Sequence, residues 1–385
     1  MVKRVLKFFN SLKLTVVLLS VGLVLVFIGT LAQVDEGLYQ AQTRYFKSWF
    51  ISNPTIFGSK VPILFPGGYL IGTLLLVNLV VTHVTRFPLT RKKLDIHLIH
   101  GGIVLLLLGQ LLTDALSTES AIRFAEGDSR NYSEDFHASE LVLIDASNPD
   151  QDRVVAIPDA LLANGKEIRH PDMPVTLRIR EYWPNSWLLD KPTNNSVQIS
   201  VSQGLGAGLH LLPLKPTVSM EQRNIPSAIL EVVTPQGPLG TWLASSQSRE
   251  KQGFTYQNKT YLLAMRFKRY YKPFVLTLLK FAHDRYRGTD IPKNFASRVQ
   301  IQRASTGENR EVEISMNKPL RYNGETYYQA GFDEHNDERE RKITILQVVH
   351  NPSWLTPYFS CVLVALGMIV QFASHLFGFA RRRNA

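Results

Sequence analysis

The sequence predicts a membrane protein with four transmembrane α-helices and a large mainly-β extracytoplasmic domain between helices 3 and 4. Three observations predict it. Four apolar runs, Leu14–Ala32, Gly68–Val84, Ile96–Thr113 and Pro357–Phe379, each approach the roughly 20 residues that cross a hydrocarbon core. Clusters of Lys and Arg abut those runs. Between the third and fourth runs lies a long polar stretch whose segments alternate strictly between apolar and polar residues.

The charge pattern carries more than the total. A formal net charge of +11 over 385 residues would ordinarily point to nucleic acid or an anionic surface. From Asp114 to Trp354, however, 29 Lys and Arg face 29 Asp and Glu, so the middle of the chain is neutral. The excess sits in Lys3, Arg4, Lys7 and Lys13, in Arg86, Arg91, Lys92 and Lys93, and in Arg381, Arg382 and Arg383. The basicity therefore reports membrane topology and gives no support to nucleic-acid binding. The single cysteine, Cys361, lies inside an apolar run. A disulfide, a C-x-x-C redox pair and a cysteine zinc site within the chain are thereby excluded. An exported domain without disulfides fits a bacterial envelope.

The first run, Leu14–Ala32, has no charged residue, and its 19 residues exceed the core of a cleaved signal sequence, the competing reading. The second carries Asn78 and His83 as its strongly polar members, and the third carries His97, His100 and Gln110. Both are short, so tilt or local thinning is expected. The fourth contains Cys361, Gln371 and His375. The loop Thr85–Asp95 holds four basic residues in eleven, whereas Gln33–Gly67 holds three in a stretch three times longer. The positive-inside rule then puts both termini and the short loop in the cytoplasm, and residues 114–354 outside it. The expected organisation is a membrane region over 1–113, a β-rich domain over 114–354, and a last span with a cytoplasmic tail over 355–385. Expected strands include Glu140–Ala146, Pro174–Tyr182, Ser196–Gln203, Ile229–Thr234, Phe274–Ala282, Ser297–Arg303, Glu311–Met316 and Lys342–Val349. Phe254–Ala264 reads as a hairpin turning at Asn258-Lys259, and the spacing of turn residues suggests a sandwich or barrel.

Candidate chemistry concentrates in histidines. The third span begins Leu94-Asp95-Ile96-His97-Leu98-Ile99-His100-Gly101-Gly102, which puts His97 and His100 on nearly one helical face. An ionisable group inside a span is expensive and usually has a partner and a task. Imidazole is a common axial ligand of haem iron. Gly101 and Gly102 remove side-chain bulk beside His100, so a flat macrocycle or another helix could approach. His97 can also be read as an interfacial residue reaching water, as can His83 and His375 near the cytoplasmic ends of their spans. The stretch Gly204–Gly208 lacks the strand, helix and spacing of a dinucleotide loop and reads as a flexible or membrane-facing loop. The run Asp333–Arg341 could chelate a cation but fits a solvated loop. With no H-E-x-x-H, Walker loop, G-x-S-x-G or triad, hydrolase and NTPase readings have no residues to rest on.

Several segments, in order, carry a resemblance. Ser11-Leu-Lys-Leu-Thr15 leads into the first span, which closes on Gly29-Thr30-Leu31-Ala32-Gln33, followed by Tyr45–Trp49. The histidine-led helix continues as His100–Gly109, then come Asp284–Ser297, Asn317–Phe332 and Asn351-Pro352. With these the chain resembles the ResB/CcsB family of System II cytochrome c biogenesis over nearly its whole length. The resemblance implies a non-autonomous subunit of a cytochrome c haem-lyase complex in the cytoplasmic (inner) membrane. Its implied partners are a ResC/CcsA-type membrane protein, apocytochrome c and a thioredoxin-like thiol reductase. The implied substrate is haem b, moved outward and ligated jointly by one histidine of this chain, His100 first and His97 second, and one of the partner. The tryptophans at 49, 183, 187, 242 and 354 are scattered, so the chain looks like the ResB half without the partner's Trp-rich motif. Two other readings stay open: a b-type cytochrome using two of its own histidines, and a non-enzymatic envelope scaffold with structural histidines.

Overall fold

The structure, a computed structural model, describes residues 2–56, 59–88, 90, 93–149, 151–217, 222–248, 250–288, 292–333 and 341–383. Arg91, Lys92, Ala385 and positions 334–340 of the predicted charge run lie outside the described residues. The chain divides into two compact units, Met1–Thr118 with His350–Ala385, and Glu119–Val349.

The first unit is helical. Its helices are α1 (Val2–Phe9), α2 (Leu12–Glu36), α3 (Leu38–Ala41), α4 (Gly68–Arg86), α5 (Leu94–Leu116) and α6 (Thr356–Arg383). Four of them, α2, α4, α5 and α6 up to Ala380, are long and apolar enough to cross a membrane. α2, α5 and α6 run beyond both ends of the apolar runs that predicted them, and α4 beyond its C-terminal end only. The link from α3 to α4 holds a π-helical turn at Gln42–Phe46 and four short strands, β1 (Phe50–Ser52), β2 (Thr55–Ile56), β3 (Ser59–Lys60) and β4 (Leu64–Pro66), paired β1–β4 and β2–β3.

Two polar features of the helical unit have a local cause. Between α1 and α2 the chain is extended at Ser11, whose carbonyl takes the Thr15 amide at 3.3 Å, and the Phe9 carbonyl is left for a side chain. Asn78, buried in mid-α4, donates to the carbonyls of Phe9 (2.6 Å) and Ser11 (3.3 Å) and accepts from the Thr15 hydroxyl at 2.6 Å. The one amide in that span is thus spent on the break. Below it, Leu25, Ile28, Ala32, Ala41, Tyr45, Ile51 and Ile71 form a buried cluster, and the Tyr45 hydroxyl accepts the Thr55 amide at 2.9 Å.

Helices α5 and α6 meet through small residues, as helices do where lipid gives no hydrophobic drive to pack. A Cβ on Gly102 would stand 2.7 Å from Val364 Cγ2, and one on Gly109 would overlap Thr356. From the other side, a Cβ on Gly367 would lie 2.9 Å from the carbonyl oxygen of Asp95. Gly102 is therefore filled by a helix, which corrects the expectation of free space on both glycines. Beside Gly101 the space is open.

The second unit is mainly β. In chain order its strands are β5 (Thr118–Ala125), β6 (Ser129–Asp145), β7 (Arg153–Pro158), β8 (Glu167–Ile168), β9 (Thr176–Trp183), β10 (Ser186–Leu189), β11 (Val197–Gln198), β12 (His210–Pro213), β13 (Ser227–Thr234), β14 (Gly237–Ser245), β15 (Gln252–Tyr256), β16 (Lys259–Arg285), β17 (Pro292–Arg303), β18 (Glu308–Ser315), β19 (Leu320–Tyr322), β20 (Glu325–Asp333) and β21 (Ile343–His350). A ten-stranded sheet runs β18-β17-β16-β6-β5-β21-β20-β19, with β15 added to β16 and β7 to β6. A four-stranded sheet β14-β13-β9-β8 and a three-stranded sheet β10-β12-β11 complete the unit.

Strand β16, 27 residues long, passes through both cores. Its first part, with β6, packs Leu141, Leu143, Leu263 and Met265 against Leu177, Ile179, Leu230 and Val232 of the four-stranded sheet. Its second part supplies Phe274, Leu276, Leu278 and Phe281 to a core where Val299, Ile301 and Ile314 meet Leu320, Tyr327 and Leu346, so the large sheet curls on itself. The alternation read over Pro174–Tyr182 appears as Leu177 and Ile179 inward, with Arg178 and Arg180 outward on Glu167 and Glu231.

One local expectation is corrected and another is refined. The β15–β16 hairpin turns at Gln257-Asn258, one residue earlier than expected, because both have positive φ (51° and 60°), as the favoured two-residue turn requires. The Gly204–Gly208 stretch, expected as a loop, has local structure of its own. It holds a short 3₁₀ turn with Gly206 buried, and a Cβ there would meet Val201, Leu243 and Ile199.

Candidate functional site

The short connection from α4 to α5 brings three histidines together. His83 is three residues before the end of α4, and His97 and His100 occupy the first two turns of α5. His97 Nδ1 lies 2.8 Å from His83 Nε2, and His83 Nδ1 lies 3.4 Å from His100 Nδ1. His97 Nε2 lies 3.2 Å from the carbonyl oxygen of Pro88. The rings of His83 and His97 meet edge to face at 4.6 Å, and Phe87 packs its ring edge to face on His100 at 5.6 Å. All three histidines are half-buried.

The Pro88 carbonyl orders the protons of this chain. A carbonyl only accepts, so His97 Nε2 donates to it. Neutral His97 then accepts at Nδ1, and the donor there is His83 Nε2. Neutral His83 in turn accepts at Nδ1 from His100 Nδ1. His100 is left with a lone pair on Nε2, which has no hydrogen-bond partner among the described residues. A histidine whose Nδ1–H is held by a second group and whose Nε2 is free is the arrangement that orients an imidazole as a metal ligand. His83 uses its two nitrogens on two different neighbours, so the trio does not converge on one point. Among the described residues no group of three or more His, Cys, Asp or Glu is placed to hold an ion by itself.

The two histidines read from the sequence thus stand at opposite ends of one chain, and the link between them is His83, left there as an interfacial residue. A signal for it existed. Two spans joined by seven residues must run antiparallel, so polar residues near the facing ends meet. His375, exposed on α6, stands outside the trio. The open side of Gly101 lies next to His100, while Gly102 faces α6.

Near the other end of α5, Asp114 accepts from the Tyr69 hydroxyl and pairs with Lys47 at 2.6 Å. Thr113 shares a hydroxyl contact of 2.7 Å with Ser353 just before α6. These bonds tie helix ends. Cys361 is the lone thiol, exposed on α6.

A comparison with curated proteins finds no match to the chain. Residues 247–345, which run from just after β14 through β20 into β21, match the family model described as the ResB-like family, in agreement with the resemblance to ResB/CcsB, and the role that match implies is cytochrome c biogenesis.

Proposed function

We propose that this chain is the ResB-type subunit of a System II cytochrome c synthase. With a ResC/CcsA-type partner it takes haem b across the cytoplasmic membrane and supports its covalent attachment to apocytochrome c. Both termini and the α4–α5 connection face the cytoplasm, and residues 114–354 lie outside it, as the Lys and Arg clusters require. The β unit holds the partner and the apocytochrome.

The observation that carries the proposal is the free Nε2 of His100 at the end of the chain Pro88–His97–His83–His100. It offers one axial ligand to substrate haem, next to the open side of Gly101. The second axial position belongs to a histidine of the partner, so haem is captured only by the assembled pair. His97, with its nitrogens engaged by Pro88 and His83, orients the chain. As the resemblance implies, a thioredoxin-like thiol reductase keeps the apocytochrome thiols reduced.

The test is His100→Ala in the purified complex with its partner. Haem absorbance co-purifying with the complex should fall by on the order of tenfold, the scale on which single metal-site residues act. Holocytochrome c should fall with it, and added imidazole should restore part of the bound haem. Full haem retention with maturation intact in His100→Ala would remove the ligand role. Stoichiometric haem on the wild-type chain without its partner would instead identify a b-type cytochrome.

A further inference from the structure

One face of the β unit gathers positive charge that its sequence as a whole does not carry. Residues 114–354 hold 29 basic and 29 acidic side chains. A cleft of about 520 Å³ within the unit is nevertheless lined by seven Lys and Arg against two carboxylates. Two of the seven are neutralised from outside the lining, Arg123 by Asp333 and Arg266 by Glu140, which leaves an excess of three positive charges around the cleft, and charge segregated in this way recruits an anion.

On β5, Arg123 lies between Ile122 and Phe124 of the second core, all three line the cleft, and Arg123 is paired with Asp333. Arg130 and Glu134, four residues apart on β6, line the same cleft. Four residues of strand span about 13 Å, too far for one acid group to touch both ends.

Each end has its own guanidinium pair. At one, Arg130 and Arg341 both reach the carboxylate of Asp128, at 3.5 and 2.7 Å. At the other, Arg269 gives Nε to Glu134 at 3.2 Å and stands 3.9 Å over the Tyr132 ring. Beside it, Arg223 stacks over Phe267 at 4.3 Å and donates to the Asp135 carbonyl at 3.3 Å. Among the described residues Arg223 is ion-paired with no carboxylate. Burial pulls its guanidinium below the usual range, against the pull of Glu134 and Asp135. A stacked, half-buried guanidinium with unused donors is set to take a carboxylate bidentately. Tyr132 and Phe267 give the wall an aromatic surface beside these guanidiniums.

The geometry points to a binding site in this cleft for a small organic acid with carboxylates at both ends of an apolar spacer. The site is independent of the histidine chain and of the haem role proposed for it. Exposed Lys251, which lines the cleft and has no ion-pair partner among the described residues, contributes charge without contributing to either core.

The experiment is calorimetric titration of the full chain, in neutral detergent, with a biphenyl dicarboxylate whose acids sit at opposite ends. Saturable one-to-one binding is expected, weakened at least tenfold in Arg223→Gln and several-fold in Lys251→Gln. Lys251 is exposed, so its variant keeps the test alive if Arg223→Gln does not fold. The neutral biphenyl diol should not bind, and inorganic phosphate at equal concentration should not displace the diacid. Absence of saturable binding, unchanged affinity in both variants, equal affinity for the diol, or displacement by phosphate would each overturn the site.

Discussion

His83 is the middle of a hydrogen-bonded chain, and removing a middle differs from removing an end. In His83→Ala the Nε2 of His100 remains, but the group that holds its Nδ1 at 3.4 Å is lost. The imidazole is then free to turn and to change tautomer, so a ligand bond would form from fewer of its orientations. Haem co-purifying with the assembled complex should therefore drop in His83→Ala, but less than in His100→Ala. Gln at 83, whose amide both donates and accepts, should recover part of the loss. Haem retention indifferent to position 83, with His100→Ala defective, would mean that the chain of histidines plays no part. At this scale the sequence told which residues were chemically able and only half of how they are used. His97 and His100 were legible because both sit in one helix, where spacing fixes the face. His83 became a partner through the α4–α5 connection, and the difference between Gly101 and Gly102 depended on where α6 lies. Neither is encoded in local spacing.

Elements show what local patterning can and cannot decide. The pairing of α5 with α6 depends on absent side chains, since Val364 occupies the place of a Gly102 Cβ. Gly102→Leu should force the helices apart and lower stability by about 1–3 kcal/mol, the range for overpacking a fitted contact. Gly101→Ala, with open space around it, should be nearly neutral. Thermal unfolding of the full chain in detergent compares the two, and equal effects would contradict the packing. In the β unit, Glu167 is held below its usual range first by hydrogen bonding to Arg178, which also reaches Glu231. Because the folded value is depressed, its contribution is present above the unfolded value near 4.5 and is lost as pH falls through the folded one. Arg178→Gln should therefore start the acid unfolding of the strands at higher pH. The shift should be small and salt-sensitive, because the pair is exposed. Circular dichroism of the full chain against pH reads it, and an unmoved acid midpoint would show the pair to be idle. Strand existence was readable here from alternation, as Leu177 to Arg180 illustrates. The length of β16 was not, since Pro273 and the bulges near Arg269 and Leu276 break the period that would have announced one strand. Asn323-Gly324, with φ of 51° and 78°, closes the β19–β20 hairpin inside Asn317–Phe332, one of the segments that carry the resemblance. An Asn-Gly pair is the sharpest short-range hairpin signal there is, and it passed unread as a turn.

For the whole molecule, the sequence was most legible where the solvent itself sets the rule. A hydrocarbon layer demands long apolar helices, so the four spans stood out from hydropathy alone. The partners within the large sheet did not. β5 neighbours β21, more than 200 residues later, and alternation names a strand without naming its neighbour. Charge supplies the remaining global constraint, the direction of crossing. Moving Lys and Arg across a bilayer during insertion is costly, so basic clusters stay on the side of synthesis when they lie within short loops beside a span. Here three clusters speak, at Lys3–Lys13, at Arg86–Lys93 and at Arg381–Arg383. They precede the first span, separate the second from the third, and follow the fourth. Those are the three places that four crossings put on one side, so the clusters agree with one topology and oppose its inverse. Between the first two spans, Arg44 and Lys47 are tied to Glu36 and Asp114, which blunts the one competing basic group. Reporter fusions at Lys60 and Gly240 should therefore read as external, and fusions at Arg91 and Ala385 as cytoplasmic. Replacing Arg86, Arg91, Lys92 and Lys93 together by Gln should produce mixed orientation at Gly240, because only the terminal clusters would then oppose inversion. A cytoplasmic reading at Gly240 in the unaltered chain would overturn the topology, and with it the proposed delivery of haem from the inner face to His100.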